Sequence, residues 1–145
     1  MRICIDFDDT IVKQDHPYHD LDTPLEFKDG AKDGVLALQR AGHTLVLYSG
    51  RANRALLFDP IWNPLVDERR LDPAKVAKAK RVHQLRYRQM LVFIERELPG
   101  VFAYIDSGHQ GKPSADLYID DKAIRLGDDL GGMRWAQVAT IFGSE

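Results

Sequence analysis

Four short apolar runs limit what this chain can fold into: RICIDF at 2–7, HTLVLYS at 43–49, VFAYID at 101–106 and ADLYID at 115–120. Each is strand-length, is bounded by turn or charged residues, and carries apolar side chains on both faces. Strands of a parallel sheet buried on both sides have that composition. Helix patterns lie between the runs. Ala31, Val35 and Leu38 fall at helical spacing across 30–40, with Gly42 as a C-terminal stop. A longer pattern covers 73–98, with Asp72 as N-cap and Pro73 in the first helical position. Val76, His83, Tyr87, Met90, Leu91, Ile94 and Leu98 form its apolar stripe, and Lys75, Lys78, Arg81, Arg86 and Arg88 its polar side. Trp135, Val138, Ala139 and Phe142 give a short closing helix. Strands alternating with helices predict an α/β fold, a three-layer α/β/α Rossmann-like sandwich with a mostly parallel sheet. No repeat or linker divides the chain, so 1–145 reads as a single domain.

At 145 residues such a domain buries roughly 70% of its unfolded surface and needs no cross-links. Its one cysteine, Cys4, sits between Ile3 and Ile5 and reads as a buried thiol. With no long apolar run and no leader-like segment before the first strand, the expectation is a cytoplasmic protein with no membrane association. The formal net charge of −2 is unevenly spread. Residues 1–33 hold nine Asp/Glu against four Lys/Arg, and residues 69–88 hold eight Lys/Arg against one acid, Asp72. The basic segment suits either an anionic partner or a solvated face.

In parallel sheets, ligands sit at the carboxyl ends of the strands, and the polar residues of this sequence collect there. The first run ends in Asp6-Phe7-Asp8-Asp9-Thr10, the second in Ser49-Gly50-Arg51, and the fourth in Asp120-Asp121. The third passes through Asp106, read as a turn-former, into SGHQGKP with His109 and Lys112. Clustered carboxylates repel one another unless something offsets their charge. A divalent cation does so, and hard oxygen ligands suit Mg²⁺, which takes one or two carboxylates and leaves room for water and substrate phosphate. Lys112 and the Ser49 hydroxyl then suit phosphoryl oxygens. One carboxylate remains for attack on phosphorus and another for proton transfer.

This pattern resembles the haloacid dehalogenase (HAD) superfamily of phosphohydrolases. Its apolar strand followed by Asp-x-Asp-x-Thr is matched by Asp6, Asp8 and Thr10, its strand-ending Ser/Thr by Ser49, its Lys by Lys112, and its acidic pair by Asp120-Asp121. The four motifs stand in the family's order across residues 3–121. The resemblance implies an HAD-like fold and a Mg²⁺-dependent phosphomonoesterase working through an aspartyl-phosphate. Asp6 would be the nucleophile and Asp8 the general acid and base. Ser49 and Lys112 would bind phosphate, with Thr10 bracing the turn beside them. The metal set would be Asp6, Asp8 through its main-chain carbonyl, Asp120 and Asp121. Asp9 stands where many members have Gly. The likeness extends to small bacterial and phage members with a Gly-rich stretch and a Trp-led final helix, here LGDDLGGMRW.

About 40 residues separate Asp8 from Ser49, too few for a cap domain, and 63 separate Ser49 from Lys112. The excess reads as an elaborated crossover over about 52–98 carrying the long basic amphipathic helix, not as a cap. Such an open site suits a phosphorylated small molecule, a sugar or nucleotide phosphate, as first expectation. Arg51 and His109 are candidate substrate contacts. Nucleic acid is a weaker expectation, because stacking aromatics should be interleaved with the charge and Tyr87 belongs to the apolar stripe. A homo-oligomer through Phe58, Ile61 and Trp62 stands beside the plainer reading of a loop folded on its own helix. His16 and His19 in DHPYHD suit a flap over the site better than a metal site. The alternatives are a polynucleotide-end phosphatase, a phospho-accepting aspartate module like bacterial receiver domains, and a non-catalytic binding member of the family.

Overall fold

The computed structural model describes residues 1–52, 72–108, 111–120 and 134–143. The elements follow as β1 (Arg2–Asp6), α1 (Ala31–Arg40), β2 (Thr44–Tyr48), α2 (Pro73–Glu97), β3 (Phe102–Ile105), β4 (Leu117–Ile119) and α3 (Trp135–Phe142). The four apolar runs are the four strands. They form one sheet in the order β3-β2-β1-β4, and every pairing is parallel. The register sets Asp6 opposite Tyr48 and Ile5 opposite Ile119. His109, Asp121, Phe58, Ile61, Trp62 and most of the Gly-rich stretch lie outside the described residues.

Strand alternation decides which face is packed. Ile3, Ile5, Phe7, Leu45, Leu47 and Ile119 share one core with Ala31, Val35 and Leu38 of α1, Met90, Phe93 and Ile94 of α2, and Trp135 and Val138 of α3. Successive side chains of a strand point to opposite faces, so all three described helices cover the same side of the sheet. Topology explains this. The chain advances from β1 to β2 to β3 in one direction, and right-handed crossovers then put α1 and α2 on one face. The return from β3 to β4 must pass β2 and β1 on the other face. It does so through 106–116, whose described residues contain no helix. Beneath Gly111–Ser114 a groove of about 610 Å³ remains, lined also by Arg2, Thr44, Val46, Ala103 and Tyr104.

The helix ends follow from local chemistry. Gly42 takes φ +88, where a side chain would be strained, while its N–H and that of His43 reach back to Gln39 O and Leu38 O. The Asp72 carboxylate accepts from Ala74 N at 3.0 Å and opens α2 with Pro73 beside it. The apolar stripe of α2 is confirmed by the burial of His83, Met90, Ile94 and Leu98. Arg86 is a correction: expected on the solvent side, it is buried, because its guanidinium lies 4.4 Å from the Tyr18 ring and Nη1 donates to Tyr18 O at 2.9 Å. At α3, Trp135 packs against Gly34 so closely that a Cβ there would come within 2.6 Å of the indole. No helix of the described residues is long and apolar enough to cross a membrane.

Candidate active site

The loop after β1 is wound tightly around one carbonyl. Phe7 O accepts from the backbone N–H groups of Thr10, Ile11 and Val12 at 3.3, 2.9 and 3.2 Å. Asp9 pays for that winding with φ +58, a left-handed conformation that Gly adopts freely and Asp tolerates better than most residues. Lys28 steadies it, donating to Asp9 O at 2.9 Å and pairing with the Asp9 carboxylate at 3.1 Å. Trp135 Nε1 donates to Thr10 O at 2.8 Å, so the closing helix latches the same loop from the core side. Thr10 is fully buried, and its hydroxyl reaches Asp6 Oδ2 at 3.5 Å.

Two groups of sequence-expected residues emerge from this frame. Asp6, Lys112 and Asp120 share a pocket of about 180 Å³ with Cys4, Tyr48, Tyr118 and Ile119. Asp120 follows the Ile5–Ile119 pair, so it stands beside Asp6 on the neighbouring strand, roughly 5 Å away in the pairing direction. Lys112 Nζ lies 3.9 Å from Asp120 Oδ2 and sits over the rings of Tyr118 and Tyr48, at 4.6 and 5.7 Å from their centroids. The pocket opens where β1 parts from β2 toward β4, the switch point at which such sheets take their ligands. At its inner end the Cys4 thiol is buried, and burial pushes its pKa up to about 11.

The second group faces α2. Asp8 is held in a two-pronged ion pair: Arg51 Nε donates to Oδ2 at 2.8 Å and Nη2 to Oδ1 at 2.7 Å. Arg51 Nη1 donates to Arg86 O at 2.9 Å and Gln89 Oε1 at 3.0 Å, and the guanidinium lies 5.1 Å from the Phe7 ring. Arg51 is 3% exposed, so this residue, expected at the substrate, turns to Asp8 and α2. Ser49 is likewise buried, its Oγ accepting from Arg51 N at 3.1 Å. No family model, curated protein or solved structure matches this chain.

A network that sequence alone did not reveal joins this second group to the loop at 13–25. His83 Nε2 meets Gly50 O at 3.1 Å, and only an N–H can donate to a carbonyl. Nδ1 is then free to accept from the Tyr18 hydroxyl, with which it is hydrogen-bonded. Burial lowers the pKa of Arg86, and neighbouring Arg51 lowers it further. Its Nε is buried without a hydrogen-bond partner among the described residues. Asp106 closes the β3 end as a turn-former, with Oδ1 accepting from Gly108 N at 2.9 Å. Its Oδ2 is buried without a partner among the described residues, and Tyr87 donates to its main-chain oxygen at 2.7 Å.

Among the described residues, no three His, Cys, Asp or Glu side chains converge as a metal-binding group. The donor set in the pocket is the carboxylates of Asp6 and Asp120. Two carboxylates, all hard oxygen, fit Mg²⁺, which needs only one or two carboxylates when water and phosphate complete its shell.

Proposed function

We infer that the chain is a phosphomonoesterase of the HAD type, with Asp6 as nucleophile and Mg²⁺ as cofactor. The observation that carries this reading is the shared pocket of Asp6, Lys112 and Asp120 at the carboxyl edge of β1 and β4. On this reading the sheet and its helices belong to the family's three-layer Rossmann-like sandwich, and the protein works in the cytoplasm. Asp6 attacks phosphorus, the bond from phosphorus to the leaving oxygen breaks, and Asp8, protonated and released from its Arg51 pair, delivers a proton to that oxygen. Asp8 then takes a proton from water as the water attacks phosphorus. The bond from phosphorus to Asp6 breaks, which frees phosphate and restores the carboxylate. Lys112 neutralises phosphoryl charge throughout. Mg²⁺, held by Asp6, Asp120 and the Asp8 carbonyl, would supply charge neutralisation between the carboxylates and the incoming phosphate.

The pocket volume bears on the substrate. About 180 Å³ is below the roughly 300–1,000 Å³ of sites that enclose a whole ligand. It suits a phosphoryl group whose carrier lies outside. The test is covalent capture: Asp8→Asn, mixed with a phosphomonoester and quenched in acid, should carry phosphate on the peptide containing Asp6. Phosphate on another residue, or on none while turnover continues, would refute the role of Asp6.

A further inference from the structure

α2 is longer than the sheet it covers. Its 25 residues span roughly 37 Å, whereas a five-residue strand spans roughly 16 Å. The helix runs from the carboxyl edge of β2 to the amino edge of β3, and His83 and Arg86 lie level with Gly50 and Arg51 at the site. Residues 73–82 therefore project beyond the edge where Asp6 and Asp120 sit, and none of them is buried. Lys75, Lys78 and Arg81 are exposed there at steps of three residues, so they follow one another along the projection. The only acid between 72 and 94 is Asp72, whose carboxylate is used as the N-cap. Cations in the first turns of a helix oppose its macrodipole, so the fold gains nothing from their position. An anionic partner would gain from both the side chains and the helix end.

Next to the projection stands an exposed aromatic ring. Tyr18 is 47% exposed. Its hydroxyl is tied to His83 and its main-chain oxygen to Arg86, and the Arg86 guanidinium supports the ring at 4.4 Å. The ring, fixed on one side and open on the other, stands at the base of the projection on the His83 and Arg86 side of the helix, and the three cations wind from that side at Lys75 around to the far side at Arg81. A stacking ring and a winding line of cations together suit a flexible single strand. The stacking residue absent from the basic helix is thus supplied by a different loop. A lipid surface fits less well, since the exposed part of the projection offers alanine and valine, not the large apolar face of a membrane-lying helix.

We propose that the projecting half of α2, with Tyr18, is a docking surface for single-stranded nucleic acid that leads a terminal phosphate to the Asp6 pocket. The surface stands on its own charge and shape, and only its link to a terminal phosphate rests on the phosphohydrolase reading. The test is fluorescence anisotropy of a fluorescein-labelled single-stranded oligodeoxynucleotide titrated with the full chain over a range of salt. Three phosphate contacts give a log–log salt slope of about −2. The triple variant Lys75→Glu/Lys78→Glu/Arg81→Glu should abolish the binding. Tyr18→Ala should weaken it about tenfold with the slope unchanged. Circular dichroism checks that each variant is folded. Unchanged affinity in the folded triple variant overturns the proposal, as does binding to phosphatidylserine vesicles but not to the oligonucleotide. A parallel assay separates the two readings. Loss of turnover on 3′- or 5′-phosphorylated oligonucleotide with aryl phosphate turnover retained supports the proposal. Oligonucleotide binding with no turnover of either substrate removes the hydrolase reading and leaves the docking surface standing.

Discussion

Arg51 grips Asp8 through two hydrogen bonds of 2.7 and 2.8 Å, and its remaining reach is spent on Arg86 O and Gln89 Oε1 of α2. The long crossover helix is thereby coupled to the carboxylate that the proposed chemistry uses for proton transfer. Arg51 is buried and Asp8 about one-fifth exposed, so the pair is partly shielded from solvent.

Removing one member of this pair should therefore be felt. Arg51→Gln is expected to destabilise the fold toward the lower end of the roughly 3–5 kcal/mol of a broken buried pair, because Asp8 keeps some solvent. Arg51→Lys should recover part of that loss but not both contacts, since an ammonium lacks the guanidinium fork. Urea unfolding of the two variants and of Asp8→Asn, with the double variant closing the cycle, measures the coupling. Additive losses would show that the pair contributes nothing.

Gly34 and Trp135 make a second, purely steric prediction. Gly34→Ala places a methyl 2.6 Å from Trp135 Cε3 and 3.2 Å from Cδ2, contacts that only a shift of α3 relieves. A cost of about 1–3 kcal/mol is expected, as for other overpacked sites. It outweighs the better helix propensity of alanine. A melting temperature equal to or above that of the wild type would contradict the packing described.

Cys4 gives a prediction in pH. Burial raises its folded pKa to about 11 from 9.0, so the unfolded chain loses the thiol proton first as pH rises. The contribution is fully present below pH 9 and is lost as pH rises toward about 11. Cys4→Ser should flatten that part of the stability curve. The native protein should also resist thiol alkylation at mildly alkaline pH and react promptly in denaturant. Rapid alkylation of the native chain would contradict the burial of Cys4.

Much of this was legible before the structure. Strand-length apolar runs alternating with helix patterns marked a parallel sheet, whereas the placing of all three described helices on one of its faces depends on the strand order. Asp72-Pro73 and Gly42 marked helix ends through chemistry that acts within a few residues. Asp6 and Asp120 could be placed together because both follow apolar runs that a parallel sheet aligns. The turn at Asp106 was readable from Asp-Ser-Gly. What could not be read depends on partners far apart in sequence. Arg86 looks like one more cation on a polar face until Tyr18, 68 positions earlier, is laid against it. Arg51 is likewise turned inward by groups 43 positions before it and 35 and 38 after it. Tyr48 and Tyr118 line the pocket by strand parity, a signal that becomes usable only once the register is known.

Everything proposed for the pocket depends on phosphoryl transfer to Asp6. The most direct measurement is hydrolysis of a generic aryl phosphate with and without Mg²⁺, run beside Asp6→Asn and Asp8→Asn, with folding checked by circular dichroism. Turnover should require Mg²⁺, disappear in Asp6→Asn and fall about 10²–10⁴-fold in Asp8→Asn. Full activity in a folded Asp6→Asn variant would contradict the role of Asp6.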